Sequence, residues 1–431
     1  MVSGLVVIGL LVAAFVGYNI GGSSTGVAFG PAVGGKIVNK TTAASLFTLF
    51  ALVGGWTVGR NVITTMSEGI VPQQEFTLLA SIVVLFFTGA TLLLSNIYGV
   101  PASTSMTAVG SIAGLGLATG TLNESMMFGI VAAWIIAPVA AFWIGFLFGR
   151  YLYPHLDARV SFTRFEAGLV TFERTGMMPR VSINERAHPR DIVGAAAVLI
   201  VACYNAFSAG ASNAANAIAP LVGSGSLTAS QGIILAIAAI GLGGFTIARR
   251  TLDTVGDGLT DLPILAALVV SLVGATIITV LSDLGIPASL AVSTTSSIIG
   301  LGWGRSSRHT TLVGASKTAI DTEPTLAVRS SADRARELST NALLAETAEP
   351  DPETERARGP TIGELATEPD IETRPLDPDS IPRVGEESQE DLLREPPVMF
   401  DRVATQRVVF LWILTPTLAT IGSWLVFSAM L

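Results

Sequence analysis

The sequence predicts an all-α polytopic membrane protein with two inverted repeats of about five transmembrane helices, each containing a re-entrant helical hairpin. Half of the 431 residues are hydrophobic and 13% are charged, and apolar runs of about 20 residues are long enough to cross a bilayer. Motifs of the first half recur in the second half at nearly constant shifts. Duplicated halves with interrupted hydrophobic segments are typical of secondary transporters.

Six short motifs carry the repeat, and they occur in the same order in both halves. The pairs are 21–31 with 210–220, 54–60 with 243–249 and 68–70 with 257–259 at a shift of 189, 99–103 with 285–289 and 111–114 with 297–300 at a shift of 186, and 134–138 with 412–416 at a shift of 278. The jump in the shift before the last pair indicates a long insertion within the second repeat.

Ten hydrophobic segments are candidate membrane spans. They are residues 4–20, 42–60, 76–96, 101–120, 124–149, 191–209, 228–249, 264–282, 287–304 and 406–430. Gly-, Ser- and Asn-rich segments at 21–38 and 210–225 interrupt the hydrophobic pattern, and we expect each to form a hairpin that returns to its starting side. Each half then has five true spans, an odd number, which places the two halves in opposite orientations.

The predicted domains follow from these spans and from two hydrophilic stretches. They are a first transmembrane repeat at 1–150, a cytoplasmic Arg-rich connector at 151–190, four helices of the second repeat at 191–304, an acidic cytoplasmic insert at 305–405 and the last helix at 406–431. Arginines in the connector and beside the insert place both loops in the cytoplasm. Dense charge and low hydrophobicity predict that the insert is largely disordered, as a solvated linker or as a regulatory segment.

Small polar residues at the breaks in the pattern are the candidate substrate site. Half-helices that begin inside the protein direct unpaired N–H groups at a cavity, and such N-termini bind anions. Four converging N-termini with hydroxyl and amide donors would hold a tetrahedral oxyanion without an arginine. The candidate residues are Ser23, Ser24, Thr25, Ser103, Thr104, Ser105, Ser212, Asn213, Asn216 and Ser289. The alternative is that these small residues serve close helix packing.

These segments resemble the inorganic phosphate transporter family of secondary carriers. The family's repeated signature is G-A-N-D-V-A-N-A-x-G, and a later motif has the form P-x-S-T-T-H. Asn216 and Ala217 match the second copy of the signature, and 101–105 matches the later motif. Val27 stands at a signature asparagine, and 290–291 departs from the later motif in the second half. An acidic chain with three lysines fits a salt-rich, haloarchaeal cell interior or a GC-rich genome.

The resemblance implies a cation-coupled carrier, yet both signature aspartates are replaced, by Ser24 and Asn213. A carboxylate within a membrane normally holds a cation or a proton, so its loss weakens Na⁺ binding and makes an anion easier to hold. Asn213 and Asn216 are candidate ligands of a coupling Na⁺ or H⁺, together with Asp253 and Asp257. The two aspartates alternatively cap a helix or pair with arginines at the membrane surface.

The expected function is transport of inorganic phosphate across the plasma membrane by alternating access. Sulfate or a related oxyanion is the alternative substrate, because a site without a carboxylate acceptor tolerates an anion that cannot donate a hydrogen bond. A non-transporting sensor that signals through the insert is a further alternative. No catalytic, nucleotide-binding or zinc motif occurs, so we expect no enzyme activity, no cofactor and no nucleic-acid partner. The resemblance also implies a possible homodimer.

Overall fold

The structure is a computed structural model that describes residues 2–97, 103–153, 155, 170–173, 180–183, 189–248, 264–309 and 402–430. Its α-helices are α1 Val2–Gly34, α2 Lys40–Trp56, α3 Gly59–Thr64, α4 Leu78–Ile97, α5 Thr104–Thr119, α6 Glu124–Leu147, α7 Pro189–Gly223, α8 Ala229–Thr246, α9 Ile264–Asp283, α10 Leu290–His309 and α11 Arg402–Met430. Shorter elements are π-helical turns at Thr65–Gly69 and Phe148–Leu152 and a 3-10 turn at Gln73–Glu75. The predicted helical fold is confirmed.

Two short strands are an addition to the predicted all-α fold. β1 (Val170–Glu173) pairs antiparallel with β2 (Arg180–Ile183), within the predicted connector. Most other residues of the connector, and residues 310–401 of the predicted insert, lie outside the described residues. The helices on either side extend slightly into the predicted insert, since α10 ends at His309 and α11 begins at Arg402.

Seven helices in the described part of the chain are long and apolar enough to cross a membrane. An eighth candidate span combines α2 with the segment Gly59–Gly69. The axes of these two helical segments differ by 63° at a short break between them. Ten spans were expected from the sequence, and α5 shows why the numbers differ. Its 16 residues cover about 24 Å, less than the roughly 30 Å of a hydrocarbon core, so α5 begins within the protein.

The predicted hairpins at 21–38 and 210–225 are wrong in their first part, because α1 and α7 run unbroken to Gly34 and Gly223. A Cβ added to Gly21 would overlap the carbonyl group of Ile240, and one added to Gly210 would overlap that of Ala51. These glycines therefore allow neighbouring helices to pack closely, as small residues do in membrane bundles. The hydrophobic pattern is interrupted there by helix packing and not by a break in the backbone.

The helix boundaries repeat with the shifts found in the sequence. The last residues of α1 and α7 are related by the motif shift of 189, and so are the first residues of α2 and α8. The first residues of α5 and α10 are related by the shift of 186, and those of α6 and α11 by the shift of 278. Each helix of these pairs therefore occupies the same place in its own repeat.

The two repeats interlock because helices of each repeat pack against helices of the other repeat. Helix α1 packs against α8, and the equivalent contact joins α7 to α2; the glycine contacts Gly21–Ile240 and Gly210–Ala51 are the same contact at a shift of 189. A second exchange pairs α5 with α11 and α10 with α6. Most buried apolar side chains of both repeats thus belong to one shared core, and a smaller second cluster contains Tyr153, Leu265, Ala266, Val270 and Leu301. The opposite membrane orientation of the two repeats stays a prediction.

Candidate binding site

A small cavity lies where α1, α5, α7 and α10 meet. It is lined by Ser23, Ser24, Val27, Thr104, Asn213, Ser289, Leu290 and Ala291. Its volume is about 20 Å³, counted as the space open to the centre of a water-sized sphere, which is room for one or two water-sized groups. Among the described residues, those that line the cavity carry no ionisable side chain.

Two helices begin at the cavity, α5 at Thr104 and α10 at Leu290. Ser103 occupies the N-cap position of α5, but its side chain makes no capping hydrogen bond, and its buried Oγ has no hydrogen-bond partner among the residues that the structure describes. The first N–H groups of a helix have no partner within that helix, and they carry partial positive charge. The cavity therefore has two of the four N-termini expected from the sequence, because α1 and α7 continue past it.

The start of α10 is fixed by contacts on either side of the preceding loop. Gly285 follows α9 with a φ of 74°, a left-handed conformation that glycine adopts without strain. The Trp134 indole of α6 then donates a hydrogen bond to the Pro287 carbonyl oxygen at 2.7 Å. An aromatic side chain of the first repeat thus holds the loop that positions a helix N-terminus of the second repeat.

A buried hydrogen-bonded network lies beside the cavity, and we call it the polar clasp. Its members are Thr104, Ser105, Ser212, Asn213 and Asn216. Thr104 Oγ1 donates to Asn213 Oδ1 at 2.7 Å, and Asn216 Nδ2 lies 3.3 Å from Thr104 Oγ1 and 3.1 Å from Ser105 Oγ. The Ser105 and Ser212 hydroxyl oxygens are 3.2 Å apart. The clasp therefore joins α5 of the first repeat to α7 of the second.

The backbone before α10 also belongs to this junction. The hydroxyl groups of Ser105 and Ser212 both donate to the Ala288 carbonyl oxygen, and the Ser105 bond is 2.9 Å long. One acceptor on the loop thus ties the clasp to the segment that leads into α10. The side of the cavity formed by α5 and α7 is closed by bonds between three separate chain segments.

Ser24 is the clearest donor that faces the cavity. Asn213 Nδ2 donates to Ser24 Oγ at 3.2 Å, which leaves the hydroxyl hydrogen of Ser24 available to a ligand. The neighbouring Ser23 hydroxyl instead donates to the Ile20 carbonyl oxygen within α1, at 3.1 Å. A ligand in the cavity would therefore meet one hydroxyl donor from α1 and the N–H groups of two helix N-termini.

The structure brings most of the predicted site residues together. Those that line the cavity are Ser23, Ser24, Thr104, Asn213 and Ser289. Those buried beside it are Ser103, Ser105, Ser212 and Asn216. Thr25 does not line the cavity: its hydroxyl donates to the Gly21 carbonyl oxygen at 2.9 Å, and it packs where α1 meets α8. Asp253 and Asp257 lie outside the described residues.

Three residues that line the cavity were not among the predicted site residues. They are Val27, Leu290 and Ala291. All three residues depart from the signature or from the later motif, so the sequence does contain a sign that these positions are special. By itself the sequence indicates only a weaker resemblance to the family, whereas in the structure the three residues form an apolar wall of the cavity.

Membrane-spanning helices around a polar cavity define a multi-pass membrane protein with a binding site inside the bundle. The chain belongs to the phosphate transporter family, whose sequence pattern matches residues 20–328. It is therefore a transport protein of the plasma membrane and not an enzyme.

Two relatives of this chain differ in the anion that their names give. It is 30% identical over 297 residues to the sulfate permease CysP of Bacillus subtilis, a match that covers 69% of this chain and 77% of the relative. It is 23% identical over 348 residues to "Putative phosphate permease PH0640" of Pyrococcus horikoshii, covering 66% and 85%. A solved structure described as the sodium-dependent phosphate transporter superposes with a TM-score of 0.57 at 20% identity, over 73% of this chain and 93% of that one. This last similarity concerns the fold alone.

Proposed function

We propose that the protein is a secondary transporter that carries an inorganic tetrahedral oxyanion, phosphate or sulfate, by alternating access. The observation that carries the proposal is the uncharged cavity at the N-termini of α5 and α10. Two helix N-termini supply partial positive charge and N–H donors. The absence of a fixed countercharge among the described lining residues keeps binding reversible, as a carrier requires.

Phosphate is supported by the family to which the chain belongs and by the names of several of its relatives. Phosphate near neutral pH carries a proton, so a site that prefers it needs an acceptor for that proton. Hydroxyl oxygens of the cavity could accept it. The amide oxygen of Asn213 is already engaged, because Thr104 and Asn216 both donate to it at 2.7 and 3.2 Å.

Sulfate is supported by the chemistry of the lining and by the 30% identity with a sulfate permease. Sulfate carries no proton near neutral pH and only accepts hydrogen bonds. A lining of donors without a carboxylate suits such an anion, and a carboxylate would repel it. Of the two anions, the uncharged cavity therefore favours sulfate.

Coupling to Na⁺ or H⁺ is part of the proposal. Amide oxygens in place of the signature carboxylates serve as Na⁺ ligands only, because an amide takes up no proton near neutral pH. Asn216 Oδ1 is buried and makes no hydrogen bond in the described part of the chain. Leaving a buried acceptor unpaired is unfavourable, so this oxygen is open to a cation. Asn216 is the ligand we propose, and Asn213 would join it only by releasing the hydrogen bonds that its amide oxygen accepts from Thr104 and Asn216. Assembly as a homodimer is a proposal taken from the family resemblance.

The test is uptake of labelled sulfate and phosphate into proteoliposomes, with Na⁺ and proton gradients imposed separately. We expect accumulation of at least one anion, competition by the other, and stimulation by one of the two cation gradients. If neither anion accumulates and neither competes, oxyanion transport is wrong, and the sensor interpretation gains support. Uptake without any effect of either gradient would contradict cation coupling alone.

A further inference from the structure

The two sides of the cavity are chemically unequal, although the repeats place equivalent residues on them. The equivalent pairs are Thr104 with Leu290 and Ser105 with Ala291 at a shift of 186, and Asn216 with Val27 at a shift of 189. In every pair, the clasp residue has a polar side chain and its counterpart is apolar. We call Val27, Leu290 and Ala291 the apolar side.

This chemical difference makes the α1–α10 interface easier to separate than the α5–α7 interface. On the clasp side, Asn216 Nδ2 contacts Thr104, Ser105 and Asn213 at 3.1–3.3 Å. The equivalent contacts on the apolar side cannot form, because Val27, Leu290 and Ala291 have no polar side-chain atoms. Parting α1 from α10 therefore breaks none of these hydrogen bonds, whereas parting α7 from α5 breaks the clasp.

Exposure follows the same division. In two of the three pairs the difference is clear: Ser105 and Asn216 are at most 1% exposed, while Ala291 and Val27 are only partly buried and line the cavity. In the third pair, Thr104 and Leu290 are both buried and both line the cavity. Equivalent residues of two similar repeats therefore have different surroundings. The cavity lies between the two sides: Thr104 and Asn213 line it where hydrogen bonds hold α5 to α7, and the partly buried Val27 and Ala291 line it opposite.

We propose that the polar clasp sets the resting conformation of the carrier by holding the α5–α7 side closed. Alternating access moves one repeat against the other around a fixed site, and when the repeats have the opposite orientations predicted from the sequence, the two access states exchange the conformations of the repeats. The state with an open clasp side must then break hydrogen bonds that its counterpart state retains. Asn216, Thr104 and Ser105 are positioning residues in this respect, and the inference rests on the proposed alternating access.

The test measures which side is open by thiol labelling of the full-length protein in liposomes without anion. Replacing Cys203, the single cysteine of the chain, with alanine gives a background for the reporter Ala291→Cys on the apolar side. Asn216→Val removes the amide contacts of the clasp and copies the equivalent Val27. We expect it to shift the ratio of the two states on the order of tenfold, which a few membrane hydrogen bonds can do. Because the favoured state then loses only part of its population, the labelling rate of the reporter by a small sulfonated methanethiosulfonate should fall about two- to fivefold.

The matched control is Ser208→Ala in the same background. Ser208 lies on α7 like Asn216 and donates a buried interhelical bond to the Ala275 carbonyl oxygen at 3.0 Å, away from the cavity. We expect this variant to leave the labelling rate unchanged, which separates the clasp from a general loosening of α7.

Ser105→Ala provides a second and smaller change if Asn216→Val elutes as an aggregate. It removes one hydroxyl and should slow labelling in the same direction, by up to about twofold. A folded clasp variant that labels as fast as the background, or faster, overturns the inference. The labelling readout needs no transport, and anion uptake is measured separately on the protein with an intact clasp. Unchanged labelling of the variants together with normal uptake by that protein contradicts the clasp alone. Slower labelling of the variants together with no uptake of either anion by that protein contradicts the proposed substrates alone.

Discussion

Asn213 Nδ2 donates a hydrogen bond to Ser24 Oγ at 3.2 Å, and these two residues occupy equivalent positions of the two repeats, related by the shift of 189. Both stand where the family signature has an aspartate. The contact therefore joins two neutral side chains at the point where the signature would bring two carboxylates together. The loss of both charges removes an electrostatic barrier to an anion in this cavity.

The first prediction concerns this contact and the choice of anion. Asn213→Asp restores one signature carboxylate at the cavity. We expect sulfate uptake to fall about tenfold or more, since a fixed negative charge repels a fully ionised anion. Phosphate uptake should fall less, because phosphate can donate its proton to the carboxylate. Competition of the two anions in proteoliposomes measures the ratio of sulfate uptake to phosphate uptake. An equal fall in both would contradict the proposed basis of selectivity.

The second prediction separates Thr104 from a neighbouring threonine of α5. Thr104→Val removes the hydroxyl that donates to Asn213, and we expect initial uptake to fall about three- to tenfold, as for the loss of one net hydrogen bond. Thr107→Val is the matched control, because the Thr107 hydroxyl donates to the Ser103 carbonyl oxygen of its own helix end at 2.9 Å. Equal losses in both variants would indicate a general effect on α5.

The third prediction tests how α10 is positioned. Trp134→Phe retains an aromatic ring but removes the hydrogen bond to the Pro287 carbonyl oxygen. We expect the KM for the transported anion to rise about threefold to tenfold, while maximal uptake changes little, since the N-terminus of α10 is displaced but its donors remain. A change confined to maximal uptake would show that Trp134 acts on the conformational cycle instead.

The fourth prediction concerns close packing between the repeats. Gly210→Ala places a Cβ against the Ala51 carbonyl group, and overpacking of this kind costs about 1–3 kcal/mol. Detergent-purified protein should therefore melt at a lower temperature. Gly129→Ala is the control, because a Cβ at Gly129 meets no atom of the described residues within 4 Å. Similar melting of Gly210→Ala and the unchanged protein would contradict the close approach of α7 to α2.

Much of the fold could be predicted because membrane spans and repeats are properties of the chain itself. The three shifts found between the sequence motifs reappear as shifts between helix boundaries. The path of the backbone at Gly21 and Gly210 could not be predicted in the same way. A run of small residues weakens the hydrophobic pattern equally when it breaks a helix and when it lets another helix approach.

The candidate site was also predicted in part from the sequence and completed only by the structure. The sequence alone determined the helical membrane fold, the repeat and nine residues at or beside the cavity, because composition and repeated motifs are local properties. Only the tertiary structure decided that Thr25 points elsewhere and that Val27, Leu290 and Ala291 form one wall. The exchange of helices between repeats brings positions that are distant in the sequence into contact, and no local pattern specifies which side of the resulting cavity closes.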